Sequence, residues 1–129
     1  MLPQNALIIE DNRSVGDILS RVFKMQGVAS HVVNNGQAAL EALETTYPSI
    51  ILLDMGLTDL NGNSLLDYIV EQKHLAQSVV IILSNNRALS RIGLERIDFI
   101  LRKPLDIQKL TYIVRQIAPQ ENTLLRNWG

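Results

Sequence analysis

The sequence predicts an α/β domain built on a doubly wound, five-stranded parallel sheet with strand order 2-1-3-4-5. Three observations predict it. Short apolar runs alternate with stretches of helical periodicity along the chain, the arrangement that gives a parallel sheet with right-handed crossovers and helices on both faces. The first, third and fourth runs are unbroken, as central strands covered on both faces require, whereas the second and fifth carry Ser30, His31 and Asp98 and suit edges. At 129 residues, with 47% apolar side chains, the chain is long enough to bury one core without disulfides or metal staples.

Each element follows from local chemistry. "ALII" (6–9) is a short continuous apolar run and reads as a buried strand. Asn12 can cap a helix whose apolar positions Val15, Ile18, Leu19, Val22 and Phe23 keep helical spacing, and Gly27 is placed to end it. "VASHVV" (28–33) is a partly alternating strand. Asn35 and Gly36 open a second helix through "QAALEALE", and Pro48 closes that connection. "IILL" (50–53) is the third strand, and Ser64 can cap a third helix carrying Leu65, Leu66, Ile69 and Val70. "VVIIL" (79–83) and "IDFIL" (97–101) are the fourth and fifth strands. Asp106 caps a last helix with Ile107, Leu110, Ile113, Val114 and Ile117 on one face. The domain is expected over residues 1–118. Residues 119–129 read as a polar tail in which Leu124, Leu125 and Trp128 leave some apolar surface to dock.

Composition narrows the chemistry. A net charge of −1 and 19% charged residues give no overall basic excess, so direct nucleic-acid binding is not expected. The absence of cysteine excludes disulfides, thiolate catalysis and cysteine-ligated zinc. No apolar stretch approaches the ~18 residues of a membrane span, and "MLPQNALIIED" lacks the basic start of a signal peptide, so a cytoplasmic protein is expected.

Strand order 2-1-3-4-5 makes the gap between strands one and three a topological switch point, where such sheets bind ligands beyond the carboxyl ends of their strands. Glu10 and Asp11 leave the first strand there, and Asp54 leaves the third, at the rim of the sheet rather than inside it. Clustered carboxylates repel and raise one another's pKa unless a cation neutralises them. All-oxygen ligands without cysteine suit Mg²⁺, which keeps several waters and takes one or two carboxylates plus a phosphate. Ser84 follows the fourth strand and could donate to a phosphoryl oxygen; it could equally be a turn or cap residue. Lys103 follows the fifth and could place a point charge on a phosphate; it could equally be a solvated surface lysine.

The acidic pair "ED" (10–11), "LLDMGLTDLNG" around Asp54, Ser84 at a strand end and "KP" (103–104) before the last helix together resemble the receiver domain of bacterial response regulators, over residues 5–118. The resemblance implies a flavodoxin-like fold and a phosphoacceptor in a two-component phosphorelay, with no catalytic turnover beyond its own Mg²⁺-dependent phosphorylation and dephosphorylation. Asp54 would accept a phosphoryl group from a histidine kinase or phosphotransfer protein. Asp11, Asp54 and the carbonyl of Gly56 would ligate Mg²⁺, with Glu10 acting through water. Lys103 and Ser84 would report the added charge to a surface read by a downstream effector protein, or by another part of a longer chain. The Lys103–Pro104 bond is expected to be cis.

Four departures from the family pattern stand out. Thr58 occupies a position where proline is common, a change in loop stiffness. Asn85, beside Ser84, is larger than the usual alanine or glycine and narrows access. Ile100 holds the position of the family's aromatic switch residue, with Phe99 one residue earlier and therefore facing the other way. Only Asn85 to Arg96 connect the fourth and fifth strands, so the fourth crossover helix is expected to be short, Asn86 to Arg96 being the least regular segment and the one that rearranges. Arg87, Arg91, Arg96, Arg102 and Lys103 make that neighbourhood a solvated basic face or a surface for an acidic partner. The shortened crossover and missing aromatic leave a rival open: an interaction module that works without phosphorylation. A nucleotide-binding reading fails, because "EDNRSVG" is acidic where a phosphate loop supplies amide donors.

Overall fold

The computed structural model describes residues 4–59, 61–85 and 95–118. Its elements run β1 (Asn5–Ile9), α1 (Arg13–Met25), β2 (Ala29–Val33), α2 (Gly36–Thr45), β3 (Ile50–Asp54), α3 (Gly62–Glu71), a 3₁₀ turn (Lys73–Leu75), β4 (Val79–Ser84), β5 (Phe99–Arg102) and α4 (Ile107–Ile117). The sheet is parallel throughout, in the order β2-β1-β3-β4-β5 that the apolar runs predict. The expected short helix at Asn86 to Arg96 falls largely on residues 86–94, and the expected tail on 119–129, both outside the described residues.

Alternation along the strands divides the core into two layers. Leu7, Ile9, Ile51, Leu53, Val80 and Ile82 face α2 and α3, meeting Ala39, Leu43, Leu65 and Ile69. Ala6, Ile8, Leu52, Ile81 and Leu101 face α1 and α4, meeting Leu19, Phe23, Leu110 and Val114. The three central strands are buried on both faces, which is why their sequences are unbroken runs.

Helix starts follow the capping chemistry. The side chains of Asn12, Asn35 and Asp106 accept hydrogen bonds from the amides of Val15, Ala38 and Lys109. Gly27, at φ 80°, turns the chain away after α1 in a backbone region that suits glycine. α3 differs from expectation: its cap is Asn61, whose side chain accepts from Asn63 N–H at 2.8 Å, and the helix has already begun at Gly62. Ser64 lies within the first turn, its amide given to the Asn61 carbonyl at 3.0 Å. On α4, Ile107 is exposed, unlike the rest of its expected face.

β5 begins at Phe99 rather than at Ile97. The Asp98 carboxylate accepts the Val80 amide at 2.8 Å, taking a donor that a strand carbonyl would otherwise use. Arg96, expected on a solvated basic face, instead donates to the carbonyls of Leu75 at 2.7 Å and Ser78 at 2.6 Å and pairs with Asp98 at 3.4 Å. It ties the approach to β5 to the turn before β4, a placement that five fixed guanidinium donors allow and a lysine would not reproduce.

α3 seats tightly on the loop that follows β3. A Cβ built on Gly62 would stand 2.8 Å from Met55 Cα and 2.9 Å from Met55 Sδ, and the Met55 backbone cannot yield cheaply. Glycine-to-alanine changes within helices ordinarily stabilise by about 0.4–1 kcal/mol. Gly62→Ala is expected to do the opposite and cost about 1–3 kcal/mol through overpacking. Urea unfolding measures it, and a variant as stable as the parent contradicts the close seating.

Candidate functional site

Parallel register delivers the site. β1 and β3 pair with Ile9 opposite Leu53, so the residues that follow, Glu10 and Asp54, emerge side by side at the carboxyl end of the sheet. Glu10 N–H still bonds to the Val33 carbonyl of β2 at 3.0 Å, which fixes where the acid leaves the strand. Asp54 is the last residue of β3, in register with Leu83; it stands at the rim as expected but within the ladder, and only 1% of it is exposed. Glu10 is 2% exposed, and Asp11 is half-buried beside it.

One carboxylate oxygen from each of Glu10, Asp11 and Asp54 lies within 4.8 Å of the other two. The electrostatic consequence falls on Glu10. Burial above all, then the neighbouring Asp54 carboxylate and to a lesser degree Asp11, push its pKa from 4.5 up to about 8, against the Asn12 N–H that donates to it at 3.1 Å.

Asp54 has its own partners. The Gly56 amide donates to Oδ1 at 2.8 Å, and Lys103 Nζ lies 2.8 Å from Oδ1 and 2.9 Å from Oδ2. Lys103 follows β5, and its own amide donates to the Ser84 carbonyl at 2.9 Å, so Ser84 and Lys103 sit at neighbouring strand ends. The Lys103–Pro104 bond is cis, as expected. Ser84 is the last residue of β4 rather than the residue after it, and it is buried. A Cβ at Gly56 would approach Asp54 Oδ1 to 3.3 Å and Lys103 Nζ to 3.4 Å, so a glycine here keeps the mouth of the site open. Asn85 lies exposed beyond Ser84. Ile100 is 46% exposed, while Phe99 packs into the layer beneath α1 and α4, the opposite facing that the sequence predicts.

The structure thus brings Glu10, Asp11, Asp54, Gly56, Ser84 and Lys103 to one end of the sheet. Sequence reasoning missed Asp59, whose two carboxylate oxygens accept the Gly36 amide at 2.8 and 2.9 Å, and no spacing announces a contact across 23 residues. It also missed the Asn12 amide on Glu10, which the short loop between β1 and the Asn12 cap makes possible.

A parallel five-stranded sheet in this order, with an acidic cluster and a lysine at its switch point, defines a doubly wound α/β domain whose polar site lies beyond the carboxyl ends of its strands. The family model of the response regulator receiver domain matches residues 6–115, and the chain belongs to that family, the receiver domain of two-component response regulators. Among relatives, the regulatory protein AtoC of Escherichia coli is 27% identical over 114 residues, covering 85% of this chain and 24% of AtoC. The heme response regulator HssR of Staphylococcus epidermidis is 24% identical over 116 residues, covering 88% of this chain and 50% of HssR. The chain therefore spans a quarter to a half of the length of these relatives. A CheY-like receiver domain from Methylobacillus flagellatus superposes with a TM-score of 0.78 at 28% identity, over 90% of this chain and 99% of that one. The receiver domain of sensor histidine kinase PA1611 from Pseudomonas aeruginosa, solved with a magnesium ion coordinated in its active site cleft, gives 0.74 at 25% identity, over 89% and 97%.

Lys103 is the cation that holds buried Asp54. Lys103→Met keeps the length of the side chain and removes the charge, leaving an acceptor without its charged partner. With divalent cations chelated, this variant is expected to lose about 1–3 kcal/mol of stability. Adding Asp54→Asn should recover most of the loss. Denaturant titration checks both, and a single variant as stable as the parent rules out the pair as a structural tie.

Proposed function

We propose that this domain takes a phosphoryl group on Asp54 from a histidine kinase or a phosphotransfer protein and signals through changed affinity for a downstream effector. The observation that carries the reading is a buried carboxylate with a lysine ammonium 2.8 and 2.9 Å from its two oxygens and two further acids within 4.8 Å. Phosphoryl transfer asks little of a protein beyond an in-line nucleophile and neutralisation of charge. An Asp54 oxygen forms the bond to phosphorus while the bond from phosphorus to the donor atom breaks, its electron pair staying with the donor, and Asp54 becomes an acyl phosphate. Lys103 sets its charge beside the incoming oxygens, and the Ser84 hydroxyl donates to one of them.

The donor set fits Mg²⁺. Asp11, Asp54 and the Gly56 carbonyl would hold it, with Glu10 reaching it through water; three carboxylates and a carbonyl are the hard oxygen ligands this ion takes. Glu10, raised to about 8 by burial first and by Asp54 after it, stands in the same cluster. When bound, the ion supplies charge to the phosphoryl oxygens. The magnesium held by the PA1611 receiver domain supports the assignment.

The effector is a protein or another part of a longer chain; the relatives AtoC and HssR are regulators of which a domain of this length is one part. Among the described residues no helix is long and apolar enough to cross a membrane, and the site of action is proposed to be the cytoplasm. Ile100, where receivers commonly carry an aromatic, favours one alternative: a docking module that works without phosphorylation.

Mass spectrometry after incubation with acetyl phosphate and Mg²⁺ separates the two. The parent is expected to gain one phosphoryl group and Asp54→Asn none; an unmodified parent leaves the docking module as the better reading. Mg²⁺ alone is expected to raise the melting temperature, because it binds the folded state. Asp11→Asn should abolish that rise, and an unchanged response would remove Asp11 from the ligand set.

A further inference from the structure

The loop from Met55 to Asn61 carries Gly56 past the acidic cluster, so its position decides where that carbonyl stands. It is held at three places. At its start the Met55 amide continues the ladder to the Leu83 carbonyl at 2.9 Å, and the Gly56 amide bonds to Asp54 Oδ1 at 2.8 Å. At its end Asn61 caps α3, and Gly62 presses on Met55. Between these, Asp59 reaches out of the loop and takes the Gly36 amide with both oxygens, at 2.8 and 2.9 Å.

Gly36 is the first residue of α2 and is buried, and the Asn35 side chain is already committed to the Ala38 amide at 2.7 Å. The Asp59 carboxylate therefore satisfies a helix-start donor that the local cap does not reach, and its charge lies at the positive end of the helix. The contact is not only a cap. It is the mid-loop tie that binds the segment next to Asp54 to a neighbouring helix across 23 residues of chain. It also sits one residue after Thr58, whose φ is unrestrained, whereas a proline there would stiffen the backbone from within.

We propose that Asp59 is a positioning residue for the phosphorylation site: its grip on the Gly36 amide stiffens the loop from outside and so holds Gly56 where it serves the acidic cluster. This rests on the reading of Asp54 as phosphoacceptor, but only in part, because the loop's order is measurable without any ligand.

The test compares Asp59→Ala, Asp59→Asn, and Asp59→Ala combined with Thr58→Pro in the full chain. Three readouts are taken: amide exchange at Gly56 by NMR without ligand, the Mg²⁺ concentration that half-saturates the shift in melting temperature, and the initial rate of phosphoryl uptake from acetyl phosphate. Asp59→Ala is expected to speed Gly56 exchange, and to weaken Mg²⁺ half-saturation and slow uptake each by about fivefold, a factor equivalent to about 1 kcal/mol. Asp59→Asn keeps a carbonyl acceptor and should stay near the parent. Thr58→Pro, which stiffens the loop by a different means, should restore most of the loss in Asp59→Ala. A merely structural cap predicts otherwise: Asp59→Ala would lower stability but leave Gly56 exchange and Mg²⁺ half-saturation unchanged, and Thr58→Pro would rescue nothing. That result overturns the proposal. If the parent takes up no phosphoryl group, the phosphoacceptor reading fails on its own, and Gly56 exchange still decides the role of Asp59.

Discussion

The structure turns on the crowding of three carboxylates at the carboxyl ends of β1 and β3. Two of them, Glu10 and Asp54, are almost wholly buried, where water screens little and like charges repel strongly. The chain cannot spread them apart, because the pairing of Ile9 with Leu53 commits the next residue of each strand to neighbouring positions. What remains is compensation: a proton held on Glu10, a lysine on Asp54, or a bound cation. Without such partners an acid at this depth would be a destabilising choice for a core.

Compensation is built from distant parts of the sequence. Lys103 arrives from the last strand, with the whole of β4 lying between β5 and β3, and its amide on the Ser84 carbonyl fixes where its side chain starts. The path of β5 is in turn set by Asp98 on the Val80 amide and by Arg96 on the carbonyls of Leu75 and Ser78. Residues far from the acids thus fix the geometry at them. On the other side, Asp59 ties the loop after Asp54 to α2. The site is held from both flanks by polar side chains that the core alone would not require.

Strand order, helix faces and the acidic cluster were legible in the sequence because each rests on local pattern: unbroken apolar runs for central strands, helical spacing for α1 and α4, and acids placed directly after strands. Boundaries were less legible where a side chain competes with the backbone. Asp98 takes a ladder donor and delays β5, and Asn61 rather than Ser64 begins α3 because its side chain already accepts the Asn63 amide. Arg96 shows the limit of reading charge as surface: a guanidinium five residues beyond Arg91 looks solvated until the carbonyls of a different turn come within reach. Asp59 had no local signal, since its partner is fixed by tertiary packing alone.

Fluorine NMR of beryllofluoride, a phosphoryl mimic, tests most directly whether this crowded acid is a phosphoacceptor. The prediction is a bound resonance that requires both Mg²⁺ and Asp54, disappearing on chelation and in Asp54→Asn. A spectrum showing no bound species with Mg²⁺ present, or one that persists in Asp54→Asn, would contradict it.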